Sequence, residues 1–211
     1  MAGKDTLLWL ADIGSIGPDW FADAGAWLSE SEQERLARFA RQERRRQFVA
    51  GRVLLRRALG ELLGAAPHTV LLRDRPGNAP VLVSPARPGL GLSISHSGPW
   101  VACAVSTRGP LGLDIERTDA ARDPVALAEQ AFGAQAAAQL MTLDTAARGD
   151  AFYRMWCRHE ADIKLGHAGA HALFFNYPGL MLALSSMSAC DVAPVLVDLV
   201  ALFYQSTPKS K

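Results

Sequence analysis

The chain has 211 residues, of which 49% are hydrophobic and 20% are charged, and its formal net charge at pH 7 is +1. This length suits one large domain or two small packed lobes. The nearly balanced charge gives no bulk basicity that would indicate a nucleic-acid partner, and no apolar run approaches the roughly 20 residues of a membrane span. We therefore expect a globular protein with a sizeable core and with neither a nucleic-acid nor a membrane partner.

The N-terminal segment and the cysteines together predict a cytoplasmic location. Lys4 and Asp5 precede only a short apolar stretch, so residues 1–12 lack the pattern of a signal peptide. The three cysteines are an odd number and form no C-x-x-C motif. We expect them to be reduced and mostly buried thiols.

The first part of the chain is predicted to be one strand followed by helices. Residues 6–13 form a short apolar stretch typical of a strand, and residues 18–28 carry three aromatic side chains in a loop and a short helix. Ser29, which precedes several acidic residues, is a predicted helix N-cap. From there to Gly64, the apolar residues recur at intervals that allow one stripe over two helices or one bent helix.

This helical region is rich in arginine between Arg35 and Arg57. One interpretation is a solvated helix face, whose charge is partly offset by neighbouring acids. The other is a surface that binds phosphate, because a guanidinium group donates two parallel hydrogen bonds to such an anion. Composition alone favours the solvated face.

The remaining chain is predicted to form strands, then helices, then strands. The predicted strands cover residues 70–73, 80–83, 90–94, 100–106, 111–115, 172–175, 180–184 and 192–203, with turns at 75–78 and 95–99. The predicted helices cover residues 124–143, interrupted near Gly133, and a segment from Asp150 to Gly166. Helix followed by strands thus occurs twice, with a seam near residues 107–110. We expect two lobes, 1–107 and 108–211, and a polar tail at 206–211.

Residues 111–116, with the sequence LGLDIE, end an apolar run with two carboxylates that are two residues apart. On a strand, Asp114 and Glu116 share a face, and two like charges there repel unless a cation lies between them. For an isolated motif of this kind, a strand that runs out into solvent is the simpler interpretation. A third carboxylate nearby would complete a site of oxygen ligands, which favours Mg²⁺ over zinc.

Two other groups of residues help to decide whether Asp114 and Glu116 belong to a functional site. Glu160 and Lys164 share a face of a predicted helix, and alone they are most simply an ion pair on its surface. His96 lies between two serines before a turn; a lone histidine is more often structural, but the flanking hydroxyls also suit the capture of an anion. No motif for a nucleophilic serine or cysteine occurs, so covalent catalysis is not indicated.

Three motifs in this order resemble the Sfp-type 4′-phosphopantetheinyl transferases. They are residues 93–97 (SISHS), residues 111–116 and residues 156–164 (WCRHEADIK). The family pattern is S-H-S, then G-[IV]-D-x-E, then W-x-x-K-E-[AS]-x-x-K, and the 44 residues from Glu116 to Glu160 agree with the family's spacing. Three ordered motifs are far more specific than any one of them alone.

The resemblance implies both a fold and an activity. The family fold is of the α+β class, with two similar lobes related by a pseudo-twofold and coenzyme A in the cleft between them. The family activity is the Mg²⁺-dependent transfer of 4′-phosphopantetheine from coenzyme A to a serine of an acyl- or peptidyl-carrier protein. Such carriers present an acidic helix next to that serine, and the chain length suits a monomer.

The resemblance also implies a role for each matching residue. Asp114, Glu116 and Glu160 would hold Mg²⁺, and Glu160 or a metal-bound water would deprotonate the carrier serine. Lys164 would neutralise the pyrophosphate of coenzyme A. The expected contacts to the remainder of coenzyme A come from Ser95 and His96 at the 3′-phosphate, from Arg45 and Arg52 of the basic helix, and from Asn78 and His159.

Three positions depart from the family pattern. His159 replaces a lysine, Asn78 replaces the basic residue of a G-K-P turn, and Gln135 stands where the family commonly has a glutamate. Two cations near the phosphates are thereby weakened or lost, because an unperturbed histidine is mostly neutral at pH 7. Two alternatives therefore stay open: a degenerate member that binds coenzyme A or a carrier with little transfer, and a Mg²⁺-dependent hydrolase of coenzyme A.

Overall fold

The structure is a computed structural model that describes residues 5–75 and 77–205. The described residues form a mixed fold of helices and strands, which confirms the predicted α+β class. The elements in chain order are β1 (Thr6–Asp12), α1 (Pro18–Gly25), α2 (Glu30–Ala37), α3 (Gln42–Leu63), β2 (Leu71–Arg73), β3 (Val81–Ser84), β4 (Gly91–Ser97), β5 (Trp100–Ser106), β6 (Leu111–Arg117), α4 (Pro124–Phe132), α5 (Ala134–Met141), α6 (Thr145–Leu165), β7 (His171–Tyr177), β8 (Leu180–Ser186), β9 (Pro194–Leu196) and α7 (Leu199–Tyr204). The predicted polar tail, 206–211, lies outside the described residues.

The strands form two main sheets and a small hairpin. The first sheet has the order β4-β5-β1-β9, the second has the order β6-β8-β7, and β2 pairs with β3. In β1, Leu7 and Trp9 pack against the helices of the first half, whereas Leu8 and Leu10 enter a core shared with the second sheet. Because successive side chains of β1 point to opposite faces and enter two different cores, both faces of the first sheet are buried.

The second sheet repeats this arrangement with α6 on its outer face. Leu113 and Ile115 of β6 belong to the core between the two sheets. On the opposite face of β8, Met181 and Ala183 pack in a cluster with Cys157 of α6. Because residues alternate along a strand, Asp114 and Glu116 face α6 rather than the core between the sheets.

Several helix boundaries follow the predicted signals. The backbone N–H of Ser29 donates to the Glu32 carboxylate at 2.8 Å, as expected of a capping box at the start of α2. Gly64 and Gly166 end α3 and α6 with positive φ values of 65° and 95°. Gly133 separates α4 from α5, so the predicted interruption of that helix is confirmed.

Several strands end later than predicted, and the extensions of β4 and β6 affect the predicted site residues. β4 continues through Ser97, so the turn to β5 contains only residues 98 and 99 and His96 lies in the strand itself. β6 continues through Arg117, which places Glu116 within the strand instead of at its exposed end. Both extensions are supported by pairing: β4 with β5 from Gly91 to Ser97, and β6 with β8 over its full length. The predicted start of α6 at Asp150 is likewise late, since the helix begins at Thr145.

The predicted strand at 192–203 is wrong over most of its length. Only β9 is extended, and it pairs in parallel with β1. Asp198 then caps α7 by accepting a hydrogen bond from the backbone N–H of Ala201 at 3.0 Å. Leu199 and Phe203, four residues apart, bury one face of this helix in the first core. A short apolar run does not distinguish a strand from a buried helix.

The division into lobes 1–107 and 108–211 stays a prediction. The chain crosses back at its C-terminal end, because β9 joins the first sheet and Phe203 packs against the rings of Trp20 and Trp27. Within residues 5–75 and 77–205, none of the helices is both long and apolar enough to cross a membrane.

Candidate functional site

The site begins with a close approach between β6 and α6. A Cβ atom built on Gly112 would lie 1.9 Å from the backbone oxygen of Ala161, so any side chain at this position would push the helix away from the strand. The absence of a side chain therefore brings α6 directly onto β6. This contact places Trp156 and Lys164 of α6 beside the two carboxylates of β6.

Asp114 is a buried carboxylate with one satisfied oxygen and one unsatisfied oxygen. Its Oδ1 accepts hydrogen bonds from Lys164 Nζ at 2.7 Å and from Ser95 Oγ at 2.9 Å. Its Oδ2 is buried and has no hydrogen-bond partner among the described residues. A buried polar atom without a partner is costly, so Oδ2 is the atom most suited to receive a cation.

Glu116 lies two residues further along the same face. Its Oε2 accepts from Ser97 Oγ at 2.9 Å and its Oε1 from Trp156 Nε1 at 3.3 Å. Burial raises the pKa of Glu116, the hydrogen bond from Ser97 opposes that shift, and the nearby charge of Asp114 adds to it. The two carboxylates therefore lie side by side on the same face of β6, and only Asp114 is paired directly with a cation.

Glu160 does not complete a three-carboxylate cluster in this structure. Among residues 5–75 and 77–205, no three His, Cys, Asp or Glu side chains come together as a metal-binding group. The reason lies in the packing of α6, because its closest contacts with the sheet are made by the fully buried residues Cys157 and Ala161. Glu160 is half-buried at the flank of that face. The predicted convergence of Glu160 with Asp114 and Glu116 is thus not observed.

The remaining oxygens nevertheless suit a divalent cation. Asp114 Oδ2 is buried and unpartnered, and Glu116 supplies a second carboxylate on the same face. Mg²⁺ is commonly held in proteins by one or two carboxylates, with the other positions filled by water and by substrate phosphate. The residues present therefore fit a Mg²⁺ ion with two protein ligands.

A basic cavity of about 290 Å³ opens next to the carboxylates. Lys164 belongs to both, since it pairs with Asp114 and also lines the cavity. The other polar residues along its wall include Arg44 and Gln47 of α3, Asn78 of the turn before β3, and His96 of β4. Alternation along β4 explains how the S-H-S motif divides: His96 faces the cavity, whereas Ser95 faces β6.

His96 is held as a neutral imidazole in this cavity. The Arg44 guanidinium lies 2.9 Å from His96 Nδ1 and also contacts Nε2. Burial lowers the pKa of His96 to about 4, and the positive charges of Arg44 and Lys164 act in the same direction. Two cations and a polar ring thus converge on one space, an arrangement that suits a phosphate group.

Arg44, and not the neighbouring Arg45, lines this cavity, so the predicted contact of Arg45 with coenzyme A stays a prediction without support from this geometry. Arg45 donates to the backbone oxygen of Leu36 at 3.3 Å and is not among the residues that line the cavity. Arg44, Gln47 and Gly51 lie on one face of α3 because they are separated by three and four residues. That spacing was the signal by which the sequence could have identified Arg44.

Arg52 lines the cavity, but its charge is already neutralised. Its guanidinium pairs with Glu32 at 3.0 Å and with Asp74 at 2.8 Å, and its side chain is only 7% exposed. The predicted contact with coenzyme A therefore has no support in this geometry. Arg52 instead anchors Asp74, which immediately precedes the turn that carries Asn78.

The two substituted positions lie in different environments. Asn78 lines the basic cavity and also a neighbouring cavity of about 560 Å³. His159 is exposed on α6, where its ring meets the edge of the Phe132 ring with centroids 5.4 Å apart. His159 is not among the residues that line the basic cavity.

Ser95 is also placed differently from its prediction. Its hydroxyl donates to Asp114 and accepts from the Ile115 N–H and from Lys164 Nζ, at 3.2 and 2.9 Å. One proton and two lone pairs are all that a hydroxyl has, so Ser95 has no hydrogen-bonding capacity left for a phosphate in this structure. Of the two residues predicted to contact the 3′-phosphate, only His96 lines the cavity, and the assignment itself stays a prediction.

Two family models match consecutive parts of the chain. The model described as the N-terminal part of 4′-phosphopantetheinyl transferase matches residues 17–108. The model described as the 4′-phosphopantetheinyl transferase superfamily matches residues 110–192. The second match contains both β6 and α6, which carry the two carboxylates and Lys164.

Similar curated proteins carry the same family name. The 4′-phosphopantetheinyl transferase HetI of Nostoc sp. is 34% identical over 67% of this chain and 60% of its own length. Sfp of Bacillus subtilis is 28% identical over 66% of this chain and 60% of its own length, and AcpT of Salmonella typhi is 33% identical over 57% and 58%. The matched part thus spans about three fifths of each relative. With the two family models, these matches show that the chain belongs to the 4′-phosphopantetheinyl transferase superfamily, as its resemblance to the Sfp type predicts.

Proposed function

We propose that this protein transfers the 4′-phosphopantetheine group of coenzyme A to a serine of an acyl- or peptidyl-carrier protein in a Mg²⁺-dependent reaction. The family membership supports this activity. The observation that carries it is the buried Asp114, whose Oδ2 is unpartnered, next to Glu116 and beside a basic cavity. A metal site for a pyrophosphate and an anion pocket are both needed for coenzyme A, and they adjoin here.

The chain's own residues divide the work between charge neutralisation and positioning. Asp114 and Glu116 would hold Mg²⁺, which supplies positive charge to the pyrophosphate oxygens when it is bound. Lys164, which now pairs with Asp114, is close enough to stabilise the developing charge on the same oxygens. Arg44 and His96 would bind the 3′-phosphate, with Asn78 on the same wall. Such transfers depend on positioning more than on covalent help from the enzyme.

The reaction moves one phosphoryl-linked group. The oxygen of the carrier serine attacks the β-phosphorus of coenzyme A, a new phosphorus–oxygen ester bond forms, and the bond from that phosphorus to the bridging oxygen breaks. The leaving group is 3′,5′-ADP. Glu160 would take the serine proton, as the family resemblance implies; it is half-buried on α6, four residues before Lys164.

The proposal includes a location, an oligomeric state and a partner surface. The oligomeric state proposed is a monomer, which suits a chain of 211 residues. The three cysteines are unpaired, which suits the reducing cytoplasm. The carrier would dock through an acidic helix, because the cavity is lined by the exposed Lys164, the half-buried Arg44 and the exposed Ile163.

The test is the modification of a carrier protein. An apo acyl-carrier and an apo peptidyl-carrier protein are incubated with this protein, coenzyme A and Mg²⁺, and their intact masses are measured. We expect a gain of one phosphopantetheine group that is absent with Asp114→Asn or with a chelator. Binding of coenzyme A without any mass gain, across several carriers, would instead support the degenerate alternative. Release of free phosphopantetheine without a carrier would support the hydrolase.

A further inference from the structure

The facing edges of the two main sheets are joined by side chains instead of a backbone ladder. Three serines of β4 accept hydrogen bonds from alternate backbone N–H groups of β6. Ser93 Oγ accepts from Leu113, Ser95 Oγ from Ile115, and Ser97 Oγ from Arg117, at 3.0, 3.2 and 3.0 Å. We call these three side chains the serine ladder. The residue numbers rise together along β4 and β6, so the two strands run parallel to each other across this contact.

The serine ladder fixes where each hydroxyl proton points. A serine hydroxyl has one proton, and its lone pairs here face the N–H groups of β6. The proton must therefore point towards another acceptor. In Ser95 it is directed to Asp114 Oδ1, and in Ser97 to Glu116 Oε2, both at 2.9 Å. Ser93 faces no carboxylate, because the residue before Leu113 is Gly112.

These two bonds determine which carboxylate oxygens remain open. Asp114 Oδ1 is capped by Ser95, which leaves Oδ2 as the unpartnered atom. Glu116 is held from two sides, by Ser97 at Oε2 and by Trp156 at Oε1. Neither carboxylate is free to turn its plane without breaking a hydrogen bond. Groups that orient a metal ligand in this way typically change metal affinity or activity by 10- to 100-fold when removed.

We propose that Ser97 is a positioning residue that orients Glu116 for binding a divalent cation, and that Ser95 does the same for Asp114. This inference deepens the proposed function and rests on it. Ser97 is the better test of the two, because it is half-buried and its hydroxyl makes no contact with Lys164. Ser93 provides a matched control, since it supplies the same kind of rung without touching a carboxylate.

The experiment measures Mg²⁺ affinity directly, by calorimetric titration of the full chain. We expect Ser97→Ala to weaken Mg²⁺ binding by about 10-fold or more and Ser93→Ala to weaken it by less than about 2-fold. Ser97→Thr keeps the hydroxyl and should restore the wild-type affinity. Equal weakening in the Ser93 and Ser97 variants would mean that the ladder acts only through the fold, and unchanged affinity in Ser97→Ala would overturn the proposal.

A second measurement separates this inference from the proposed function. Carrier modification by Ser97→Ala should recover as Mg²⁺ is raised, because positioning affects metal affinity more than the reaction of the loaded enzyme. Wild-type protein that binds Mg²⁺ but modifies no carrier would refute the proposed activity and leave the positioning role intact. Wild-type protein that binds no Mg²⁺ refutes both. Should Ser97→Ala fail to fold, Ser97→Cys, a much weaker donor of similar size, serves the same comparison.

Discussion

Two groups of buried carboxylates lie in the two halves of the molecule, and cations neutralise them to different extents. In the first half, Glu32 and Asp74 meet three guanidinium groups, from Arg35, Arg52 and Arg56. In the second half, Asp114 and Glu116 share one ammonium group, that of Lys164, which directly pairs only with Asp114. The first group is saturated with positive charge, whereas the second keeps an excess of negative charge.

This difference separates a structural role from a functional one. Glu32 is fully buried and joins α2 to α3 through Arg52 and Arg56, so its removal leaves Arg56 without its carboxylate partner and Arg52 with Asp74 alone. Asp114 keeps a buried oxygen with no partner among the described residues. Proteins rarely retain such an atom without a use for it. The comparison predicts that mutations in the first group affect stability, and mutations in the second affect activity.

The largest effect is expected when the saturated group is broken. Glu32→Gln should lower the free energy of unfolding by about 3–5 kcal/mol, because it leaves the buried Arg56 guanidinium uncompensated and removes one of the two carboxylates of Arg52. Urea denaturation measures this change. Glu30→Gln is the matched control, since Glu30 is exposed in the same first turn of α2. A Glu32 variant as stable as the control would show that the ion network contributes little.

Asp114→Asn should reduce activity much more than stability, which is the opposite of the result expected for Glu32→Gln. We expect carrier modification to fall by about 100-fold or more, as metal-assisted charge stabilisation is lost. The free energy of unfolding should fall by much less than in Glu32→Gln, because Lys164 is 30% exposed and water can solvate its ammonium group. Measuring carrier modification and the free energy of unfolding in both Asp114→Asn and Glu32→Gln tests whether the functional and structural roles are separate. An inactive but also strongly destabilised Asp114 variant would contradict it.

A smaller effect is expected for two adjacent arginines of α3. Arg44 contacts His96 in the cavity, whereas Arg45 donates to the backbone oxygen of Leu36 outside it. Losing a charge-assisted bond to phosphate should weaken coenzyme A binding by about 10-fold in Arg44→Ala. Arg45→Ala should change it by less than about 2-fold. Calorimetry on both variants checks the assignment, and equal losses would mean that the cavity is not the phosphate site.

The smallest predicted effect is a pH dependence that arises from His96. Its pKa is lowered from 6.5 to about 4 in the folded chain, so between these values the unfolded chain binds more protons than the folded one. Stability from this group is therefore full above pH 6.5 and is lost as the pH falls towards 4, by an amount on the order of 1 kcal/mol at pH 5. Urea denaturation at pH 7 and pH 5 should show a smaller loss in His96→Gln. An identical loss in both proteins would rule out this account of His96.

The sequence predicts the residues of the site better than their partners. The i, i+2 spacing predicts Asp114 and Glu116 on one strand face, as observed, and the family resemblance implies that the helix carrying Lys164 lies beside that strand. The partners of Arg52 were not predictable, because Glu32 and Asp74 are distant in sequence and no local period reports such pairs. The family resemblance assigns Ser95 and His96 to one phosphate, and the predicted turn at 95–99 gives no reason to separate them. Recognising a continuous strand there would have separated them by alternation.

The contact between Gly112 and Ala161 has a consequence for how the site tolerates change. The distance from α6 to β6 is set by main-chain atoms, so it does not depend on the size or rotamer of any side chain between them. At this point the separation on which the chemistry depends leaves no room for even one added carbon, so it is more sensitive to a side chain at Gly112 than to a change of rotamer nearby.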